Sequence, residues 1–181
     1  MWSPVWIWES EIPHNICNQI INCSSLIKYE NGLTQSGDDG RKVNIKFLYE
    51  EFNWINALIC GYGLFANCKN FKYELSKCDM EGVQLSRYTL GQFYNKHVDF
   101  NGNPDTKSHT RKLSMSVQLS DENEYDGGEL EIKGTGDSVT SAGKALGSVI
   151  VFDSKVTHRA KPVTKGERIV MVGWAAGPKL R

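Results

Sequence analysis

The chain has no net charge to offer a partner: 21 Lys and Arg balance 21 Asp and Glu. Without an excess of one sign there is no electrostatic case for a nucleic-acid or anionic-membrane partner. Long apolar runs are absent, so no stretch is suited to span a bilayer. Met1 to Glu9 lacks the basic segment and apolar core of a secretory signal. A cytoplasmic protein is expected. Cysteine is sparse and odd in number: Cys17, Cys23, Cys60, Cys68 and Cys78 include no C-x-x-C pair. They read as reduced thiols, not as a disulfide framework. No internal repeat or low-complexity tract stands out. What remains is 181 residues with 40% hydrophobic and 23% charged content. That is an ordinary globular composition, sized for a single domain spanning 1–181.

The pattern changes along the chain. Residues 1–70 read as mainly helical support. Pro13 is suited to the first turn of a helix, followed by Ile16, Ile20, Ile21 and Ile27 at helical spacing. A second helix is predicted over Phe52–Ala66, with Trp54, Leu58 and Phe65 facing inward. The Gly-, Ser- and Asp-rich stretch Asn31–Lys42 between them reads as a loop, either a solvated connector or a lid. Residues 71–176 read as short strands near Phe71–Cys78, Val83–Leu90, Tyr94–Phe100, Lys112–Ser120, Gly128–Lys133, Ser148–Phe152, Val156–Val163 and Arg168–Ala175. Asp126-Gly127 predicts a hairpin turn, and Lys165-Gly166 a turn before the last strand. Evenly spaced strands without βαβ alternation predict an antiparallel double sheet.

Only four histidines are present, and two of them sit in suggestive places. His97-Val98-Asp99 puts an imidazole and a carboxylate on one face of a strand, because strand side chains alternate with period two. His158 follows the apolar run Val149–Phe152, where an unpaired imidazole would be costly. A third ligand from there completes two imidazoles and one carboxylate, the set expected at non-haem Fe(II) oxygenase sites. His14 reads as a surface residue, and His109 as a weaker alternative ligand in a polar loop. Arg168, Val170, Val172 and Trp174 share one face of the last strand. If Arg168 points inward, Trp174 does too. A buried Arg168 needs an anionic partner, either an internal acid or a dicarboxylate ligand.

In order, Arg87-Tyr88-x-x-Gly91-x-x-Tyr94-x-x-His97-x-Asp99, Arg111-Lys112-Leu113-Ser114, Tyr125-Asp126-Gly127-Gly128-Glu129-Leu130 and His158-x-x-x-Pro162-Val163-Thr164-x-Gly166-x-Arg168, with Trp174, resemble the prolyl 4-hydroxylase group of the 2-oxoglutarate/Fe(II)-dependent dioxygenases. The resemblance covers about residues 83–176. It implies a mainly β fold with supporting helices (α+β): a double-stranded β-helix, or jelly roll, with N-terminal helices packed on one sheet. It further implies Fe(II) on His97, Asp99 and His158, and Arg168 on the distal carboxylate of 2-oxoglutarate. Tyr88 would line the cosubstrate pocket, and Arg111 and Trp174 would face the substrate. Gln118 stands where a tyrosine often assists the arginine in animal members. Its amide can donate to a carboxylate, so it is a candidate cosubstrate contact.

The implied reaction takes 2-oxoglutarate and O2 to succinate and CO2 while hydroxylating a C–H bond, with ascorbate as an accessory reductant. A prolyl residue in a peptide or protein is the expected substrate. Hydroxylation of another residue or a free amino acid, a cupin-like metal-binding module without oxygenase activity, and a zinc hydrolase are the alternatives. A nucleic-acid dealkylase is disfavoured, because Trp174 occupies the place of that group's second arginine.

Overall fold

The computed structural model describes residues 3–32, 40–49, 52–76, 82–100, 109–134 and 138–178. The larger sheet runs in the order β1 (Val5–Trp8), β11 (Val149–Asp153), β7 (His109–Gln118), β14 (Arg168–Pro178), β5 (Val83–Tyr88), β4 (Asn44–Leu48) and β2 (Glu30–Asn31). The smaller runs β10 (Val139–Ser141), β9 (Leu130–Lys133), β12 (His158–Ala160), β6 (Phe93–His97) and β3 (Arg41–Lys42). A ribbon of β8 (Asp126–Gly127) and β13 (Val163–Lys165) joins them. Adjacent strands pair antiparallel, as in β11 on β7 and β14 on β7.

Strand alternation divides the larger sheet into two unlike faces. On β7, Leu113, Met115 and Val117 point to one side and Ser114, Ser116 and Gln118 to the other. The apolar side packs under helices α1 (His14–Cys23) and α2 (Asn53–Ala66), where Ile20, Ile55, Ile59 and Ala66 meet Met115, Val117 and Met171 in the main core. Each of the larger side chains among these stabilises the fold by about 1.5–3 kcal/mol through burial. The polar side turns toward the smaller sheet. Two small apolar clusters, one around Tyr88, Val163 and Val170 and one around Ile132, Ile150 and Phe152, hold that side of the fold.

Several sequence expectations need correcting. The first 70 residues supply the two helices but also β1 to β4, which extend both sheets. On α2 the buried face is Ile55, Ile59, Gly63 and Ala66. Trp54 and Phe65, expected inside, are 41% and 50% exposed, and Leu58 is half-buried. Gly63 decides this rotation: a Cβ there would lie 2.2 Å from Met115 Sδ, so the helix approaches the sheet along its glycine.

The strand expected over Phe71–Cys78 does not form in its described part. Asn67–Phe71 is a π-helical turn after α2. The Asn67 side chain accepts from Tyr73 N–H at 2.8 Å and donates to Tyr73 C=O at 2.9 Å, engaging groups a ladder would use. Asp126-Gly127 is not a hairpin tip but pairs with Val163 and Lys165. The single strand expected over Val156–Val163 is two, β12 and β13, separated by Lys161-Pro162. Proline cannot donate to a ladder. Residues 33–39 of the expected Asn31–Lys42 loop lie outside the described residues; its two ends pair as strands, β2 with β4 and β3 with β6. Cys78 also lies outside, while Cys17, Cys23, Cys60 and Cys68 are thiols. Among the described residues no helix is long and apolar enough to cross a membrane.

Candidate metal centre and its cavity

β12 lies antiparallel to β6 in a register that sets His158 directly opposite His97. Asp99 lies just beyond the end of β6, not on the strand itself. Its backbone N–H donates to Ser154 C=O at 2.9 Å, which fixes it beside the turn after β11. His97 Nε2 is 3.7 Å from Asp99 Oδ1, and His158 Nε2 is 3.4 Å from Asp99 Oδ2. One ligand atom from each of the three lies within 4.8 Å of the others, and among the described residues this is the grouping able to hold a metal ion.

The hydrogen bonds around these groups prepare their lone pairs. His97 Nδ1 is 2.7 Å from Asn95 C=O, and His158 Nδ1 is 3.0 Å from Val156 C=O. A carbonyl only accepts, so Nδ1 carries a proton in both rings and Nε2 is the nitrogen turned to the cluster. Asp99 Oδ2 accepts from Ser114 Oγ–H at 2.7 Å and from Trp174 Nε1–H at 3.1 Å. Oδ1 is left facing His97 and Arg111. Burial, helped by the neighbouring His158, pushes His97 down to about 4, so the ring stays neutral. Burial by itself would raise Asp99, but His158, Arg111, His97 and the Ser114 hydroxyl together hold it below the ordinary carboxylate value. Two imidazole nitrogens and one ionised carboxylate, converging from one side, fit a divalent transition metal with positions left open.

A cavity of about 130 Å³ lies against this cluster. Its wall is the polar inner face of the larger sheet, and the ladder aligns the rows. Tyr88 pairs with Arg168; Ser86 and Gln118 flank Val170; Gln84 and Ser116 flank Val172; Ser114 pairs with Trp174. Arg168 and Trp174 therefore both face inward, and both line the cavity. Arg168 is 3% exposed. Among the described residues no carboxylate reaches it; its Nη2–H donates to Gln118 Oε1 at 2.8 Å and its Nε is buried without a partner. A buried guanidinium with donors to spare, in the same cavity as the histidines, suits an anionic ligand. Gly128 (φ +67°) makes room for it, since a Cβ there would lie 3.0 Å from Arg168 Cδ.

The other candidates fall into place unevenly. Tyr88 lines the cavity, with the Arg168 guanidinium 5.5 Å from its ring centre; burial raises its phenol, which stays protonated. Arg111 lies over the Trp174 ring at 3.8 Å and reaches Asp99 Oδ1 at 3.8 Å. Gln118 is not on the cavity surface. It stands behind Arg168, and its Nε2–H donates to Tyr125 Oη at 2.7 Å. His14 is exposed on α1, and His109 opens β7 apart from the cluster. Sequence reasoning gave Ser114 no contact with Asp99 and assigned no role to Tyr94, Tyr125 or Arg41. Tyr94 stacks on His97 at 3.5 Å between ring centres. The alternation of β7 pointed to Ser114, but nothing in the local sequence pointed to Arg41, which the β3–β6 pairing brings to the cavity.

Residues 83–176 match the family model described as the 2OG-Fe(II) oxygenase superfamily. A PKHD-type hydroxylase of Gloeothece citriformis is 42% identical over 96 residues, covering 52% of this chain and 42% of the relative. One from Maricaulis maris is 38% identical over 94 residues, covering 51% and 40%. The matches thus span less than half the length of these relatives. A prolyl-4-hydroxylase structure from Pseudomonas putida superimposes with a TM-score of 0.73 at 18% identity, over 96% of this chain and 92% of that one. A Trichoplax adhaerens prolyl hydroxylase, in complex with a hypoxia inducible factor peptide fragment, gives 0.76 at 16% identity, over 95% and 83%. At such identities the likeness establishes the fold, a double-stranded β-helix. Apart from Arg41, the residues that line the cavity lie in the segment that the family model matches, and the chain belongs to the 2OG-Fe(II) oxygenase superfamily.

Proposed function

We propose that this chain, as one domain over 1–181, is a 2-oxoglutarate- and Fe(II)-dependent dioxygenase that hydroxylates an unactivated C–H bond of a prolyl residue in a peptide or protein. The observation that carries this reading is the pairing, in one cavity, of the His97/Asp99/His158 cluster with a buried Arg168 that no carboxylate of the described residues neutralises. A cupin-like metal-binding module has no use for that arginine. A zinc hydrolase needs a general base, and Asp99, already in the cluster, is the only carboxylate among the described cavity residues.

In this reading His97 Nε2, Asp99 Oδ1 and His158 Nε2 hold Fe(II), and Arg168 holds the distal carboxylate of 2-oxoglutarate. Bound together with O2, these supply the oxidation of a C–H bond, with succinate and CO2 released. The chain's own residues position and shield. Gln118 and Gly128 fix the course of Arg168, the ring of Tyr88 lies along it, and Ser114 and Trp174 hold Asp99 in one rotamer. Proton transfer by a side chain is not required, in keeping with a cavity whose one carboxylate among the described residues, Asp99, belongs to the cluster. The prolyl substrate is supported by the prolyl hydroxylases that share the fold. The test is succinate formation from 2-oxoglutarate with Fe(II), ascorbate and a proline-containing peptide library, with a +16 Da product as the expected result. Absence of both coupled and uncoupled 2-oxoglutarate turnover would contradict it.

A further inference from the structure

We propose that the outward face of α2 is a twofold interface with a second copy of this chain, the two helices crossing antiparallel at Gly61. It involves neither the metal cluster nor Arg168. Asn53–Ala66 contains no Asp, Glu, Lys or Arg. A helix that is apolar all round is one covered on every side. One side of α2 packs on the larger sheet through Ile55, Ile59, Gly63 and Ala66. The other side faces out. Trp54, Leu64 and Phe65 are 41%, 47% and 50% exposed, and Ala57 and Gly61 lie exposed between them. Along the chain Trp54, Ala57, Gly61 and Leu64 alternate steps of three and four, the repeat with which one helix seats against another. No atom lies within 4 Å of a Cβ added at Gly61, so a second helix meets bare backbone there. This helix also lies outside residues 83–176, the segment that the family model matches.

The same face supplies both halves of the contact, as a twofold interface requires. A groove along α2 is lined by Trp8, Glu11, Ala57, Gly61 and Tyr62. In an antiparallel crossing at Gly61, positions equally far before and after that glycine meet. Phe65 then lies over Ala57 and Trp54 over Cys68, a large side chain against a small one each time, and Leu64 meets Leu58. A parallel crossing sets Trp54 on Trp54 and Phe65 on Phe65 and leaves the groove empty. Charge agrees with the antiparallel choice. Lys69 Nζ lies 5.6 Å from the centre of the Phe65 ring, so Phe65 brings that cation to the groove of the other copy, where Glu11 stands. Neither Glu11 nor Lys69 makes an ion pair among the described residues. Area sets the strength. With about 100 Å² from each exposed aromatic, the face offers roughly 500 Å² per copy, below the ~800 Å² per partner of a standard interface. The dimer is therefore reversible.

The test is sedimentation equilibrium of the whole chain under reducing conditions. A monomer–dimer equilibrium with a Kd of about 1–100 μM is expected. Gly61→Glu sets two like charges at the axis and has open space for its side chain in the monomer. It should weaken association at least tenfold. Lys69→Glu should weaken it at least threefold, and Glu11→Lys added to Lys69→Glu should restore most of that loss, which a merely adhesive surface would not do. Oxidised Trp54→Cys reports the direction of the crossing. Its expected product is a disulfide from position 54 to Cys68, identified by mass spectrometry. Fourteen residues of one helix separate those positions by about 21 Å, so the bond forms only between copies. A wild type that stays monomeric up to about 1 mM, including one that partitions onto phosphatidylcholine vesicles instead, would overturn the interface. So would a Gly61→Glu dimer as strong as the wild type, or absence of the 54-to-68 link. The wild-type measurement decides even where a variant does not fold.

Discussion

Gln118 lies diagonally across the β7–β14 ladder from Arg168 and accepts its Nη2–H at 2.8 Å. The orientation of the amide follows, because a guanidinium has nothing to accept with. Gln118 must turn its oxygen to Arg168 and its NH2 to Tyr125 Oη, so the phenol oxygen is an acceptor and its own proton is available elsewhere. Arg168 is thereby held without being neutralised.

Replacing that amide by a carboxylate should defeat the arrangement. Gln118→Glu puts an internal anion on Arg168 in competition with 2-oxoglutarate. Gln118→Leu removes the hydrogen bonds to Arg168 and Tyr125 without adding a charge, the one to the guanidinium being worth about 1.5–3 kcal/mol. The Kd for 2-oxoglutarate is expected to rise by about 10- to 100-fold in Gln118→Leu and further in Gln118→Glu, with metal affinity unchanged in both. Titration of 2-oxoglutarate into Mn(II)-loaded protein checks this. Equal affinity in Gln118→Glu and wild type would remove Gln118 from the account.

Trp174 acts on the metal side of the cavity. Its Nε1–H and the Ser114 hydroxyl both hold Asp99 Oδ2. Trp174→Phe keeps a ring beneath Arg111 but loses the N–H. Outer hydrogen bonds of this kind typically carry about 10- to 100-fold in metal affinity, so Trp174→Phe and Ser114→Ala are each expected to weaken Mn(II) binding by about tenfold. A chelator competition assay measures it.

The depressed His97 gives the metal-free protein a pH signature. Its folded value is about 4, against 6.5 for the ordinary imidazole. Between those values the unfolded chain takes up the proton and the folded chain does not, so stability falls as pH drops from about 6.5 toward 4. The contribution of Asp99 lies lower, being lost only as pH falls below the ordinary carboxylate value. Thermal unfolding in the presence of chelator should show a drop of roughly 2–3 kcal/mol across the upper window, reduced in His97→Asn. A flat profile in the wild type would contradict a neutral, half-buried His97 imidazole.

Stability and the site occupy opposite faces of the larger sheet. Ile59→Ala, under α2, opens a cavity beside Met115 and Gly173. It should cost about 2–4 kcal/mol while leaving Mn(II) and 2-oxoglutarate affinity within twofold. Denaturant unfolding and the same titrations separate the two effects.

Much of this was legible from alternation and spacing. His97, Asp99 and His158 stood out because polar groups beside apolar strands need a reason, and the shared parity of Arg168 and Trp174 placed both inside. Residues whose role depends on which strand pairs with which were hidden. Arg41 reads as part of a polar loop until β3 pairs with β6. Gln118 reads as a pocket residue until Tyr125 is seen behind it. Trp54 and Phe65 misled because hydrophobicity was taken to mark the buried face of α2, when close approach at Gly63 sets that face. The first 70 residues were taken as mainly helical because β1 to β4 are short strands that earn their stability by joining sheets built later in the chain.

The central claim is that one cavity holds a metal on His97, Asp99 and His158 and an anionic cosubstrate on Arg168. The most direct measurement is calorimetric titration of 2-oxoglutarate into wild type, His158→Ala and Arg168→Ala, each with Mn(II) and without oxygen. We expect tight binding to the wild type, loss of both metal and 2-oxoglutarate in His158→Ala, and in Arg168→Ala retained metal with 2-oxoglutarate weakened at least tenfold. Undiminished 2-oxoglutarate affinity in metal-loaded Arg168→Ala would contradict the account.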